Sequence, residues 1–169
     1  MKQGIYTITE NTALTKDVWR MVLSGDTSAM TAPGQFIEIT LPGFFLRRPI
    51  SVCDYDENSI TIIYKVVGRG TDAMTKLKAG DELDILTGLG NGFDPSKAGD
   101  APLLVGGGVG VPPLYHLAKK LLAAGKKVNV ILGFNKADEI FYAEEFKALG
   151  ANVTVTTVDG SVGVKGFVT

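Results

Sequence analysis

Reactive and metal-binding side chains are scarce in this 169-residue sequence, which has one cysteine, Cys53, one histidine, His116, and one tryptophan, Trp19. A single cysteine excludes an internal disulfide framework and an all-cysteine metal site within these residues. One histidine leaves no Ser/His/Asp nucleophile set to argue for. Long apolar runs are missing too. Leu103-Leu104-Val105 and Val128 to Leu132 fall well short of the roughly 20 residues that span a bilayer. The start, Met1-Lys2-Gln3-Gly4, has no apolar signal core, so the expected location is cytoplasmic, without a membrane partner. Neither sign of charge is in excess. Lys plus Arg is 17 and Asp plus Glu is 18, a net charge of −1. With no basic stripe or aromatic ladder, that balance argues against a nucleic-acid partner.

What is abundant is glycine, 21 residues clustered in turns, a pattern that suits close approach of backbone to ligands. From Met1 to about Phe93 the pattern is β. The segments Ile5 to Thr9, Val18 to Leu23, Gln35 to Leu41, Ile50 to Asp54, Ile60 to Val67 and Glu82 to Leu86 are β-rich and bounded by turn residues. Their regular spacing predicts a six-stranded antiparallel β-barrel, interrupted by a helix at Thr71 to Leu77 with Thr71 as its cap. Asn91 to Asp100 reads as the linker. After it the period changes. A strand at Pro102 to Val105 precedes a helix with Leu114, Leu117, Ala118, Leu121 and Leu122 on one face. A strand at Val128 to Leu132, a helix marked by Tyr142, Phe146 and Leu149, and a strand at Val153 to Val158 follow. This is a right-handed βαβ series, a partial parallel α/β nucleotide-binding domain. The expected domains are therefore 1–98 and 99–169. Three parallel strands with two helices leave much apolar surface uncovered on one edge, whereas parallel sheets normally have both faces buried, so the sequence reads as a truncated chain.

Two segments carry chemistry. Gly106-Gly107-Gly108 opens a glycine turn that fits G-x-G-x-x-P from Gly108 through Gly110 to Pro113. Such a turn lets a diphosphate approach the backbone at a helix start, with proline tolerated at the first helical turn. It also serves as a tight strand-to-helix connection without a ligand. Arg48-Pro49-Ile50-Ser51 offers a guanidinium able to clamp a diphosphate and a hydroxyl able to bond a flavin ring nitrogen. The same residues equally read as surface arginines, Arg47 and Arg48, before an edge strand marked by Pro49. Gly68-Arg69-Gly70-Thr71 reads either as an anion cradle built from the Gly70 and Thr71 amides or as an ordinary capped turn. His116, Trp19, the lysines around Gly125, and Glu139, Glu144 and Glu145 read as packing or solvated surface. No catalytic side chain and no metal ligand set is assigned.

Taken in order, Arg48-Pro49-Ile50-Ser51, Ile63-Tyr64-Lys65, Gly70-Thr71 and Gly108-x-Gly110-x-x-Pro113 resemble the ferredoxin–NADP reductase superfamily. More narrowly, the chain is similar to the electron-transfer subunit of bacterial NAD-dependent dihydroorotate dehydrogenase, and the tail from Asp159 to Thr169 supports that branch. The resemblance implies an FAD-binding barrel (1–98) and the N-terminal part of an NAD-binding domain (99–169). Arg48 would hold the FAD diphosphate, Ser51 would face the flavin, and Ile63, Tyr64 and Lys65 would run along FAD. Gly70 and Thr71 would complete the cradle, and Gly107, Gly108, Gly110 and Pro113 would admit NAD. Ile50 stands where many relatives place a stacking tyrosine. The implied function is electron transfer between NAD and an FMN-containing dihydroorotate dehydrogenase catalytic subunit, in a hetero-oligomer of pyrimidine biosynthesis. An FAD subunit of a ferredoxin–NADP oxidoreductase or sulfide-dehydrogenase-like complex is the alternative, as is an inactive FAD-binding fragment. Relatives also hold a [2Fe–2S] centre, whose roughly four thiolates this chain lacks.

Overall fold

Six strands close the expected antiparallel barrel: β1 (Lys2–Ala13), β2 (Val18–Ser24), β3 (Phe36–Ile39), β4 (Arg48–Tyr55), β5 (Ser59–Lys65) and β6 (Glu82–Leu89). Their order is β1-β2-β5-β4-β3-β6, with β6 pairing back onto β1. The computed structural model describes residues 1–168. The chain forms two compact units, Met1–Phe93 and the residues from Asp94 onward.

Side-chain alternation builds the barrel core. Ile60, Ile62 and Tyr64 of β5 point inward and join Ile37, Ile39 and Ile85 in one buried cluster. Each such aliphatic burial contributes about 1.5–3 kcal/mol. Closing a sheet requires bends, and register shifts supply them between Ile8 and Glu10, between Val52 and Asp54, and between Phe36 and Glu38. The first shift explains why β1 outruns its expected Ile5–Thr9: beyond it, Glu10 to Ala13 keep pairing with β2.

The helix after β5 differs from expectation. It is α1 (Arg69–Met74), capped by Gly68 rather than Thr71. Thr71 sits one turn in, where its hydroxyl accepts from the N–H groups of Val67 (3.0 Å) and Gly68 (3.2 Å). That bond draws the helix start back two residues. Its end falls at Met74, where Asn11 Nδ2 donates to the carbonyls of Met74 and Leu77, each at 2.8 Å.

The second unit is a parallel sheet in sequential order, β7 (Leu103–Gly107), β8 (Asn129–Phe134), β9 (Asn152–Thr157) and β10 (Val164–Lys165). β10, only two residues long, is too short for any period to announce it. The helices α2 (Pro113–Ala123) and α3 (Ala143–Leu149) connect the first three strands. Gly106 faces α2, since an added Cβ would lie 2.8 Å from Leu114 Cδ1; Gly107 faces the other way, onto Val168 at 3.3 Å. On that second face Leu103 and Val105 stay exposed, at 57% and 43%. His116 is buried on α2, and Trp19 packs against the barrel core.

Candidate functional site

A groove of about 510 Å³ opens on the barrel unit, lined by Gly43, Phe44, Phe45, Arg48 and the run Val67–Thr71. Two connections form it. After β3, the chain turns at Leu41–Phe44, where the Phe44 N–H donates to Leu41 O (3.1 Å) and Gly43 takes φ +79°. After β5, the Thr71 hydroxyl pins the amides of Val67 and Gly68 and fixes the start of α1.

Arg48 is one of two cations in the groove lining; the other, Arg69, is exposed. The guanidinium of Arg48 is held in place. Its Nη1 donates to Leu46 O at 2.5 Å and to Arg47 O at 3.5 Å, and its guanidinium carbon lies 5.0 Å from the centre of the Phe44 ring. Among the described residues no acceptor meets Nε or Nη2, the edge that grips an oxyanion in bidentate fashion. That edge lies against Gly70: a Cβ built there would stand 2.1 Å from Nε and 2.9 Å from Nη2. Only a residue without a side chain leaves room. Arg47, its neighbour, is committed elsewhere. It pairs with Asp84 at 3.2 Å and reaches Glu38 O and Asp84 O at 3.4 Å, joining β3, β4 and β6.

The structure thus brings Arg48, Gly70 and Thr71 into one groove and leaves the other expected barrel residues outside its lining. Ser51 pairs with Phe36 and Ile50 with Ile37; Ile50 packs on the barrel core, and Pro49 is exposed. Tyr64 points inward. Its hydroxyl donates to Asn11 Oδ1 at 3.0 Å, and burial pushes the phenol up to about 12. A ligand along β5 would therefore meet the backbone at position 64. Ile63 is buried, and Lys65 pairs with Asp17 at 3.1 Å. The first turn of α1 still presents amides without intrahelical acceptors at Gly70 and Thr71. With six residues, though, its dipole is short, and the full charges in the lining are those of Arg48 and Arg69.

In the second unit the glycine turn follows β7, at the carboxyl end of the parallel strands where open α/β sheets bind ligands. Gly108 has φ +50°, and a Cβ added at either Gly108 or Gly110 would meet no atom within 4 Å, so both are open to an approaching group. Pro113 begins α2, where its missing N–H costs no hydrogen bond. A side chain at Gly106 would collide with Leu114, and one at Gly107 would press on Val168. The loops after β8 and β9 are stitched together at this same end: the Ala137 N–H donates to Ser161 Oγ (2.8 Å), and Asp159 Oδ1 accepts from the Ser161 N–H (2.9 Å). Lys136 lies 3.0 Å from Asp138, whose hydrogen bond, ahead of the charges of Glu139 and Asp159, raises the lysine pKa.

Sequence reasoning missed Phe44 and Phe45. The available signal was the apolar run Phe44-Phe45-Leu46, which sits in a connection rather than a strand and adjoins two arginines. Phe45 is fully exposed.

A closed antiparallel barrel followed by a parallel sheet with a glycine turn after its first strand defines a ferredoxin reductase-like oxidoreductase. The solved structure of an NADH-dependent reduced ferredoxin–NADP oxidoreductase, described for flavin-based electron bifurcation, superposes with a TM-score of 0.85. It is 33% identical, over 96% of this chain and 60% of its own. Residues 104–164 match the oxidoreductase NAD-binding domain family. The electron transfer subunit of dihydroorotate dehydrogenase B (NAD(+)) from Fusobacterium nucleatum is 47% identical over the whole of this chain and 68% of its own length. The same subunit from Bacillus mycoides is 44% identical over 99% and 67%. The chain belongs to the family of dihydroorotate dehydrogenase B electron transfer subunits and spans about two thirds of those relatives. No helix among the described residues is long and apolar enough to cross a membrane.

Proposed function

We propose that this chain binds FAD through the barrel groove and NAD at the glycine turn. In this reading it carries electrons between NAD and an FMN-containing catalytic subunit that oxidises dihydroorotate, in the cytoplasm. The Nε–Nη2 edge of Arg48, which no acceptor among the described residues meets, carries the proposal: it is a bidentate oxyanion donor set on a side chain that lines the groove. The FAD diphosphate fits that donor set. Gly70 and Thr71 line its path, and Ser51 supplies the hydroxyl proposed to face the ring. When bound, FAD supplies the ability to accept a hydride and release single electrons, chemistry that belongs to the cofactor. The chain's own part is to hold the diphosphate, orient the ring and admit the dinucleotide at Gly107, Gly108, Gly110 and Pro113. Cys53, buried in the barrel unit, is the only thiol, so the [2Fe–2S] centre proposed for the complete subunit takes its ligands outside these residues.

Titration of the purified chain with FAD, followed by flavin fluorescence, tests this reading. Arg48→Ala removes a charge-assisted contact of about 1.5–3 kcal/mol and is expected to weaken binding by about 10- to 150-fold. Equal affinity for both proteins would move the diphosphate away from this groove.

A further inference from the structure

Two phenylalanines precede the arginine pair, and they behave differently. The ring of Phe45 is fully exposed. Phe44 is half-buried, packs its apolar body against the barrel core, and presents its ring to the guanidinium of Arg48, 5.0 Å from ring centre to Cζ. A guanidinium is planar and weakly hydrated, so it lies well on an aromatic face. Its remaining ties run from Nη1 to Leu46 O and Arg47 O. The ring and those carbonyls together fix a long side chain that would otherwise sample many rotamers, while the Nε–Nη2 edge lies along Gly70 and meets no acceptor among the described residues.

We propose that Phe44 is the positioning residue of the groove: its ring holds Arg48 with the bidentate edge already turned to where a diphosphate would lie. The inference rests on the diphosphate reading of Arg48 given above. A long cation fixed before the ligand arrives loses little further freedom on binding, so the benefit appears as affinity. The core contact of Phe44 offers a competing explanation, in which the ring serves only to anchor the loop. Leucine at the same position keeps most of that apolar burial and removes the π-face. Tyrosine keeps both.

The test therefore compares Phe44→Leu and Phe44→Tyr in the full chain by two readouts. One is FAD affinity. The other is the NMR resonance of the Arg48 Nε–H, assigned by its loss in Arg48→Ala and displaced by the ring current of a nearby aromatic face. Phe44→Leu is expected to weaken FAD binding by about 3- to 30-fold, the range for losing a partly desolvated cation–π contact, and to abolish the ring-current displacement. Phe44→Tyr is expected to preserve both, and Phe45→Leu to leave the Arg48 resonance where it was. Unchanged FAD affinity in Phe44→Leu, or equal losses in the leucine and tyrosine variants, would overturn the proposal. Should the wild-type chain reject FAD, the diphosphate reading fails; the Nε–H resonance still decides whether the Phe44 ring holds the guanidinium.

Discussion

Replacing Gly70 by alanine should make the barrel unit slightly more stable while loosening its grip on FAD. The backbone at Gly70 is not among the left-handed glycines, and the residue lies inside α1, so alanine fits the conformation. In a helix alanine is favoured over glycine by about 0.8–1 kcal/mol. The added methyl, however, would stand 2.1 Å from Arg48 Nε and 2.8 Å from its Cζ, far inside contact distance. Arg48 is the flexible partner and must leave, taking its fork out of the groove. Losing one charge-assisted contact of about 1.5–3 kcal/mol weakens FAD by about 10- to 150-fold. The opposite signs are diagnostic, because a damaged fold would lower stability and affinity together. Melting temperature and FAD dissociation constant would be measured on wild type, Gly70→Ala, Arg48→Ala and the double variant. The double variant should bind no worse than Arg48→Ala alone, since both changes remove one interaction. FAD affinity in Gly70→Ala equal to wild type, or additive losses in the double variant, would refute the argument.

Two further outcomes follow from other parts of the molecule. Tyr64 has its phenol raised from 10.0 to about 12 by burial, so the neutral form's contribution is whole below pH 10 and is lost as pH climbs towards 12. Denaturant melts should find wild type more stable than Tyr64→Phe at pH 7 by about 1 kcal/mol, the value of the hydrogen bond to Asn11. The order should reverse above about pH 11, the full swing being about 2–3 kcal/mol; a difference constant with pH would contradict this. At the carboxyl end of the parallel sheet, Asp138 occupies Lys136 at 3.0 Å, with Glu139 and Asp159 adding negative charge around that lysine. The chain should therefore prefer NADH to NADPH, whose extra phosphate meets carboxylates. Asp138→Asn should raise the NADPH share of kcat/KM by roughly fivefold by freeing the lysine, and an unaltered ratio would place the adenosine end elsewhere.

How much was legible from sequence depended on whether the determining contacts are local. Strands such as Ser59–Lys65 announce themselves because alternate residues must be apolar to fill a barrel. The glycine turn and its proline are likewise local devices. The roles of Arg47 and Arg48 were not separable, because Asp84, the group that occupies Arg47, lies 37 residues away and is brought across by the β3–β6 pairing. Phe44 escaped notice for a similar reason: its partner is close in sequence, but the groove exists only once Val67–Thr71 is folded beside it. Tyr64 was read by its place in a motif, whereas strand parity turns it inward to Asn11. The start of α1 lies earlier than expected because the Thr71 hydroxyl serves the helix start from the third helical position, with Gly68 as the cap residue.

Whether this chain joins a flavin to a nicotinamide dinucleotide is decided by mixing the FAD-loaded protein with NADH without oxygen and following visible flavin absorbance. Rapid bleaching by NADH is expected, with slower bleaching by NADPH and loss of the response in Arg48→Ala once unbound FAD is removed. A protein that retains FAD through Arg48 yet stays oxidised in excess NADH would contradict that expectation.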